Sequence, residues 1–321
     1  MRFPDFYGNA ALRDRLSAAQ SGGGLSHCYI LVGPQGSGKK TLARILAAAY
    51  QCTGDGPQPC GSCSNCHKIF GGGHPDVITV DSDKATVPIS VIRDMQTDAY
   101  TRPNEGRRKV YIIPRAHDMQ APAQNALLKL LEEPPSYCAF ILLTDSAEKL
   151  LTTVRSRAVE LTLFPLTELD LKNALLRLRP QADPELLGSA VERSSGYLGA
   201  ALSILDGNEP EKNREHLRKF LKAFSTCQEG NMLVALIPLE KLSRTELLEL
   251  FTQLNLIFTR ALGHKSGGDS LYSKEAEFLS KNCTAQQLFM GTEALDTAIK
   301  MLQSNGSAGH CVGYLMAAIQ F

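Results

Sequence analysis

The sequence predicts an α/β domain on a parallel sheet, followed by a chain that is helical throughout. Three observations predict it. Residues 28–50, CYILVGPQGSGKKTLARILAAAY, run from an apolar strand through a glycine-rich turn into a helix. Further apolar segments at 76–80, 110–113 and 138–143 alternate with helical patterns, as parallel strands covered by helices on both faces do. From Pro165 onward no strand is legible, and apolar residues recur at helical spacing.

Composition narrows the function. The 321 residues suffice for two or three domains, and 43% hydrophobic with 21% charged is an ordinary soluble balance. No apolar run approaches the ~20 residues that span a bilayer. The start of the chain is polar and lacks a secretion-signal core, so the cytoplasm is the expected compartment and no membrane partner is expected. Net charge is +1, so any nucleic-acid contact has to come from local clustering. Nine cysteines in a reducing compartment point to metal where they cluster.

The elements follow in order. Residues 6–20 read as a helix capped by Asn9, with Leu12, Leu16 and Ala19 on one face. The strand Tyr29–Val32 leads into G-x-x-x-x-G-K, with Gly33, Gly36, Gly38 and Lys39. This is the spacing of a phosphate-binding loop: glycines turn successive N–H groups toward one centre, the helix N-terminus adds partial positive charge, and the lysine reaches outer phosphates. The next position in that motif carries a hydroxyl for magnesium. Here it is Lys40, and the hydroxyl comes one place later at Thr41, rotated about 100° around the helix.

Cys52, Cys60, Cys63 and Cys66 then give C-x7-C-x2-C-x2-C on a turn-rich segment. Four thiolates at that spacing fit a closed structural zinc site, and His67 reads as a surface residue. Cys28, Cys138, Cys227, Cys283 and Cys311 are scattered and read as small core residues. A strand at 76–80, a helix over 89–101 and a strand Val110–Ile113 follow. Between them Lys84, Arg93, Arg102, Arg107, Arg108 and Lys109 outnumber three acids, which suits a solvated face and a nucleic-acid patch equally. AQNALLKLLEEPP is an amphipathic helix with Ala126, Leu127, Leu130 and Leu131 inward. CAFILLTDS is a buried strand, KLLTTVRSR a short helix and AVELTL a last strand. A helix starts at Pro165 and Thr167, and the charged stretch EPEKNREH marks a boundary. Ser243 and Glu246 form one capping box with Gly263 as the far cap, and Thr284 and Gln287 form a second.

The order of phosphate loop, four-cysteine insertion, GRRKVYII, NALLKLLEEPP, ILLT and SR resembles the AAA+ subunits of the bacterial DNA polymerase III clamp loader, and among them the delta-prime type. The likeness is densest from Gly8 to Leu163 and continues more weakly to Phe321. It implies an AAA+ domain over 1–163 with a zinc module at 52–66, a small helical lid domain over 164–208, and an all-α collar domain over 209–321 that holds a ring. It also implies partners: the gamma/tau ATPase subunits, the delta subunit, and the sliding clamp and primed DNA through the assembled ring.

Departures from the family pattern bear on activity. The acidic pair that positions magnesium and water falls on Pro114 and Arg115, which can neither ligate the ion nor act as a base. The lid arginine of a G-x-L-R pattern falls on Gly199. Together with Lys40 these departures predict negligible hydrolysis and leave open whether Lys39 still holds ATP or ADP. The resemblance makes Arg157, after Ser156, an arginine finger for a neighbour's site; an internal pair with Glu160 is the plainer alternative. Two rival functions stand beside this one. One is an active gamma/tau-like ATPase with magnesium held through Thr41. The other is a free-standing zinc-dependent DNA-binding protein, which the near-neutral charge weighs against.

Overall fold

The computed structural model describes residues 1–82, 86–207, 211–226, 228–265, 274–304 and 306–319. Lys84, Cys227, Phe321 and the start of EPEKNREH lie outside the described residues. The chain divides into two compact units, 1–181 with 196–200, and 182–195 with 201–321.

The first unit runs α1 (Ala10–Gly22), β1 (Cys28–Val32), α2 (Lys39–Gln51), α3 (Ser64–Phe70), β2 (Val77–Thr79), α4 (Ile89–Ala99), β3 (Lys109–Ile113), α5 (Ala121–Glu132), β4 (Cys138–Thr144), α6 (Thr152–Arg155), β5 (Val159–Thr162) and α7 (Glu168–Leu178). All strand pairs are parallel, in the order β2-β3-β4-β1-β5. Parallel strands are buried on both faces, so every residue of β3 and β4 is buried. Their side chains alternate between two cores. Tyr29, Leu31, Val110, Ile141 and Leu161 pack under α2 and the cysteine segment. Ile30, Tyr111, Ile113, Phe140 and Leu142 pack under α4 and α5. This arrangement puts the ends of β1, β3 and β4 side by side at one edge, where α/β sheets hold ligands.

Some expectations need correction. Asn9 does not cap α1: it lies in the left-handed region at φ 48, and its amide pairs with the backbone of Phe164 at 2.8 and 3.2 Å. Asp76 stands outside β2. Its fully buried carboxylate accepts N–H bonds from Asn104, Glu105 and Gly106 at 2.6–2.8 Å, which fixes the loop before β3. KLLTTVRSR is one 3-10 turn and the four-residue α6.

The second unit comprises α8 (Pro184–Arg193), most of α9 (Leu198–Leu205), α10 (Glu211–Ser225), α11 (Glu229–Leu236), α12 (Arg244–Lys265), α13 (Lys274–Asn282), α14 (Ala285–Gln303) and α15 (Ala308–Ala318). Its core centres on Phe220, Phe224, Phe251 and Phe258, with Phe224 and Phe258 edge-to-face at 4.6 Å. Both capping boxes form, at Ser243 with Glu246 and at Thr284 with Gln287. Gly263 is not a cap: α12 continues past it to Lys265. A mid-helix glycine costs only about 1 kcal/mol, and the buried face Leu247, Leu250, Phe251, Leu254 and Phe258 outweighs it.

The basic segment before β3 is only partly a surface. Lys109 is buried, and its ammonium donates to Asp98 Oδ1 at 2.8 Å and Thr101 Oγ1 at 2.5 Å; Tyr111 donates to the other Asp98 oxygen at 2.7 Å. Arg108 lies over the Tyr50 ring. Arg93, Arg102 and Arg107 are exposed. Burial pushes the Asp98 carboxyl up, but the hydrogen bonds from Lys109 and Tyr111 outweigh it and hold it below the usual carboxylate range. A depressed carboxylate contributes stability above its unfolded pKa and loses it as pH falls toward its folded one. Asp98 is itself 44% exposed, so solvent screens part of the pair. Asp98→Asn should therefore lower stability at neutral pH by about 1–3 kcal/mol and flatten its acid dependence, and Lys109→Met in the same chain should recover part of the loss. Urea melts at pH 7 and pH 4 read both; an unchanged midpoint for Asp98→Asn contradicts the assignment.

Candidate functional site

The loop after β1 has the shape its glycines allow. Gly36 and Gly38 lie at φ 79 and 95, where L side chains are strained, and α2 starts at Lys39. Gly33 is tied to β4 by its N–H to Thr144 O at 3.1 Å. Lys40 is exposed and Thr41 half-buried.

Lys39 turns inward and is only 9% exposed. Its ammonium donates to Gly33 O, to Pro34 O at 3.0 Å and to Asp145 Oδ1 at 3.2 Å. Burial lowers its pKa, and Asp145 opposes that. The other Asp145 oxygen faces His117 Nε2 at 3.3 Å, and His117 also approaches Asp118 at 3.7 Å. Arg115, at the end of β3, pairs with Asp81 at 2.9 Å and Asp118 at 3.5 Å and donates to Ser82 O. A chain of charged and polar groups thus lines this edge of the sheet. Ser37 Oγ and His117 Nδ1 are buried there without a partner among the described residues.

The segment 196–200 lies directly on the loop. Gly199 N donates to Gly36 O at 2.9 Å. A Cβ on Gly199 would stand 2.7 Å from Gly36 Cα, and one on Gly36 would stand 2.7 Å from Ala200 N. Any side chain at either position would force the two apart.

At three positions of this edge the side chains offer magnesium nothing. No oxygen ligand stands at Lys40, Pro114 or Arg115, and a carboxylate already faces the loop lysine. Sequence reasoning missed Asp145 and His117. The available signal was position alone, an acid directly after the buried strand β4 at the ligand-binding edge.

The four cysteines converge. Cys52, Cys60, Cys63 and Cys66 place their sulfurs within 4.8 Å of one another, with Cys60 and Cys66 at 4.0 Å. A zinc tetrahedron with Zn–S near 2.3 Å has edges of about 3.8 Å. Cys60 Sγ accepts N–H bonds from Ser62 and Cys63 at 3.4 and 3.3 Å, as knuckle thiolates do. A Cβ on Gly54 would reach within 2.7 Å of that sulfur, so the turn is cut to fit it. Burial pushes the Cys63 thiol up, but hydrogen bonds from Thr53 and Cys66 outweigh it and bring it to about 5. The Ser62 hydroxyl and N–H lower Cys60 to about 7. Burial raises Cys52 and Cys66, whose ionisation a divalent cation would supply. His67 is exposed, as expected. The set fits zinc, with all four sulfurs as ligands and a purely structural role.

Arg157 is not paired with Glu160. Arg155 takes that carboxylate at 2.7 Å. Arg157 reaches Glu132 Oε1 at 2.7 Å, Thr153 O at 2.9 Å and Ser156 Oγ at 3.3 Å. Its side chain is 35% exposed and that of Glu132 49%.

For the cysteine cluster, elemental analysis of freshly purified, reduced protein should find one zinc per chain. Cys63→Ser should lose the metal and expose 52–66 to limited proteolysis while the rest stays folded. Reduced protein free of zinc, with that segment protease-resistant, contradicts the site.

Residues 8–167 match the family model described as DNA polymerase III, delta subunit. The chain is 34% identical over 209 residues to DNA polymerase III subunit tau of Escherichia coli, covering 64% of this chain and 32% of that one. It is 37% identical over 152 residues to subunit delta' of Bacillus subtilis, covering 47% and 46%. The match therefore spans 32% and 46% of the length of these two curated relatives. A DNA polymerase III gamma-subunit-related protein of Thermotoga maritima shares the fold, with a TM-score of 0.51 over 96% of this chain and 98% of that one at 17% identity. The family match spans the phosphate loop, the cysteine cluster and Arg157 alike: the chain belongs to the DNA polymerase III clamp-loader family, on an AAA+ fold with a helical C-terminal part.

Proposed function

We propose that this chain is a non-hydrolysing clamp-loader subunit of the delta-prime type. It works in the cytoplasm within a ring that contains gamma/tau ATPase subunits and the delta subunit. The ring opens the sliding clamp and sets it on primed DNA, and this chain lends Arg157 to an adjacent ATP site. In this reading 1–163 is the AAA+ domain, 164–208 the lid and 209–321 the collar.

One observation carries the proposal: the groups that would handle magnesium and charge are gone, while a half-exposed Arg157 is kept. Lys40 replaces the hydroxyl, Pro114 and Arg115 the acids, and Gly199 the lid arginine, with Arg115 already engaged by Asp81 and Asp118. Each lost group costs a hydrolase orders of magnitude in rate. Thr41 sits about 100° around the helix from the magnesium-ligand position, which counts against an active enzyme.

Arg157 is held but not trapped. A half-exposed ion pair is worth about 0–1 kcal/mol, so the guanidinium can leave Glu132 at little cost. Its planar fork suits a γ-phosphate at a subunit boundary.

In a ring reconstituted with gamma/tau and delta subunits, Arg157→Ala should assemble normally. It should lower DNA- and clamp-stimulated ATP hydrolysis in part, because the other sites still turn over. Arg157→Lys should rescue poorly, since a point charge lacks the bidentate contact. Unmodified turnover and loading with Arg157→Ala would reduce Arg157 to a structural role.

A further inference from the structure

Every donor of Lys39 is in use. An ammonium has three N–H groups, and here they meet Gly33 O, Pro34 O and Asp145 Oδ1. We infer that Asp145 is a built-in counter-anion of the phosphate loop: its carboxylate takes from Lys39 the contact that an outer phosphate of a nucleotide would make, and so keeps nucleoside di- and triphosphates out. This deepens the non-hydrolysing reading and rests on it only in treating the loop as free of catalysis.

Three features support the assignment. First, the carboxylate is held from both sides, by Lys39 at 3.2 Å and by His117 Nε2 at 3.3 Å. Being part of the chain, it competes at high effective concentration even though it is 47% exposed and screened by solvent. Second, a polyphosphate entering the loop would bring like charge against that carboxylate. Lys40, Pro114 and Arg115 supply no side-chain oxygen that would hold magnesium there against the phosphates. Third, the loop backbone is engaged as well. Gly36 O accepts from Gly199 N at 2.9 Å, an approach that requires glycine at both positions. Gly199 is therefore more than a missing arginine: its lack of a side chain lets backbone close on backbone.

The proposal predicts a gain of binding. Titrating the 321-residue chain with fluorescently labelled ADP and ATP, with and without magnesium, should give no saturable binding up to about 1 mM. Asp145→Ala should bind at least about tenfold more tightly than the unmodified chain, and Lys39→Ala in the same chain should abolish that gain. Asp145→Asn keeps the shape and removes the charge, so it should behave as Asp145→Ala does; it also serves if the alanine variant misfolds by circular dichroism. Micromolar binding by the unmodified chain, lost with Lys39→Ala, overturns the proposal. So does a folded Asp145→Asn chain that binds no better than the original. Phosphate release measured on the same samples separates the two readings. Turnover would sink the non-hydrolysing function, whereas silent binding by the variants alone supports the counter-anion.

Discussion

A buried ammonium has to be paired, and the Lys39 ammonium organises one edge of this molecule. Transferring an unpaired charge into the interior costs far more than a domain's whole margin of stability. The glycine-rich turn places Lys39 there, the carbonyls of Gly33 and Pro34 meet two of its donors, and Asp145 at the end of β4 meets the third with a charge. His117, Asp118, Arg115 and Asp81 extend the pairing across the strand ends. The edge where α/β sheets hold ligands thus carries its own network of charged groups. The loss of the magnesium-handling groups is consistent with that: with the anion supplied from within, nothing at Lys40, Pro114 or Arg115 has to face a metal.

What was legible in the sequence was what local spacing encodes. Strand β1, the loop and α2 follow from one apolar run and three glycines. The cysteine cluster follows from four positions within a turn-rich segment. Both capping boxes follow from residues three apart. What was not legible depends on pairs distant in sequence. Lys39 and Asp145 are 106 positions apart, and Asn9 meets the Phe164 backbone 155 positions away. Gly199 read as a simple loss because nothing local says that it lies against Gly36. Arg157 and Arg155 both precede Glu160 within a few residues, and only the rotation of a four-residue helix decides which of them reaches it. Gly263 misled for the converse reason: a strong local stop signal lost to a long buried face.

The two remaining features divide structure from work. The cysteine cluster lies beside the core under α2, with Cys52, Cys66 and Ile69 buried, and its chemistry is closed: four sulfurs leave no open position for a substrate. Arg157 follows α6 and reaches Glu132 at the C-terminal end of α5, and its contacts are partly solvent-exposed. In the proposed reading, hydrolysis in this chain's own loop is not needed for Arg157 to act on a neighbour's nucleotide, because a guanidinium needs only reach and orientation to stabilise transferring charge.

The Lys39 ammonium meets its three partners within the chain, and the proposed counter-anion makes that pairing exclude nucleotide. The most direct measurement is the nucleotide content of the protein as purified from cells, released by denaturation and quantified by ion-exchange chromatography. Nucleotide should lie far below one equivalent per chain, with the protein fully folded. One equivalent of ADP or ATP per chain, carried through purification and lost with Lys39→Ala, would contradict it.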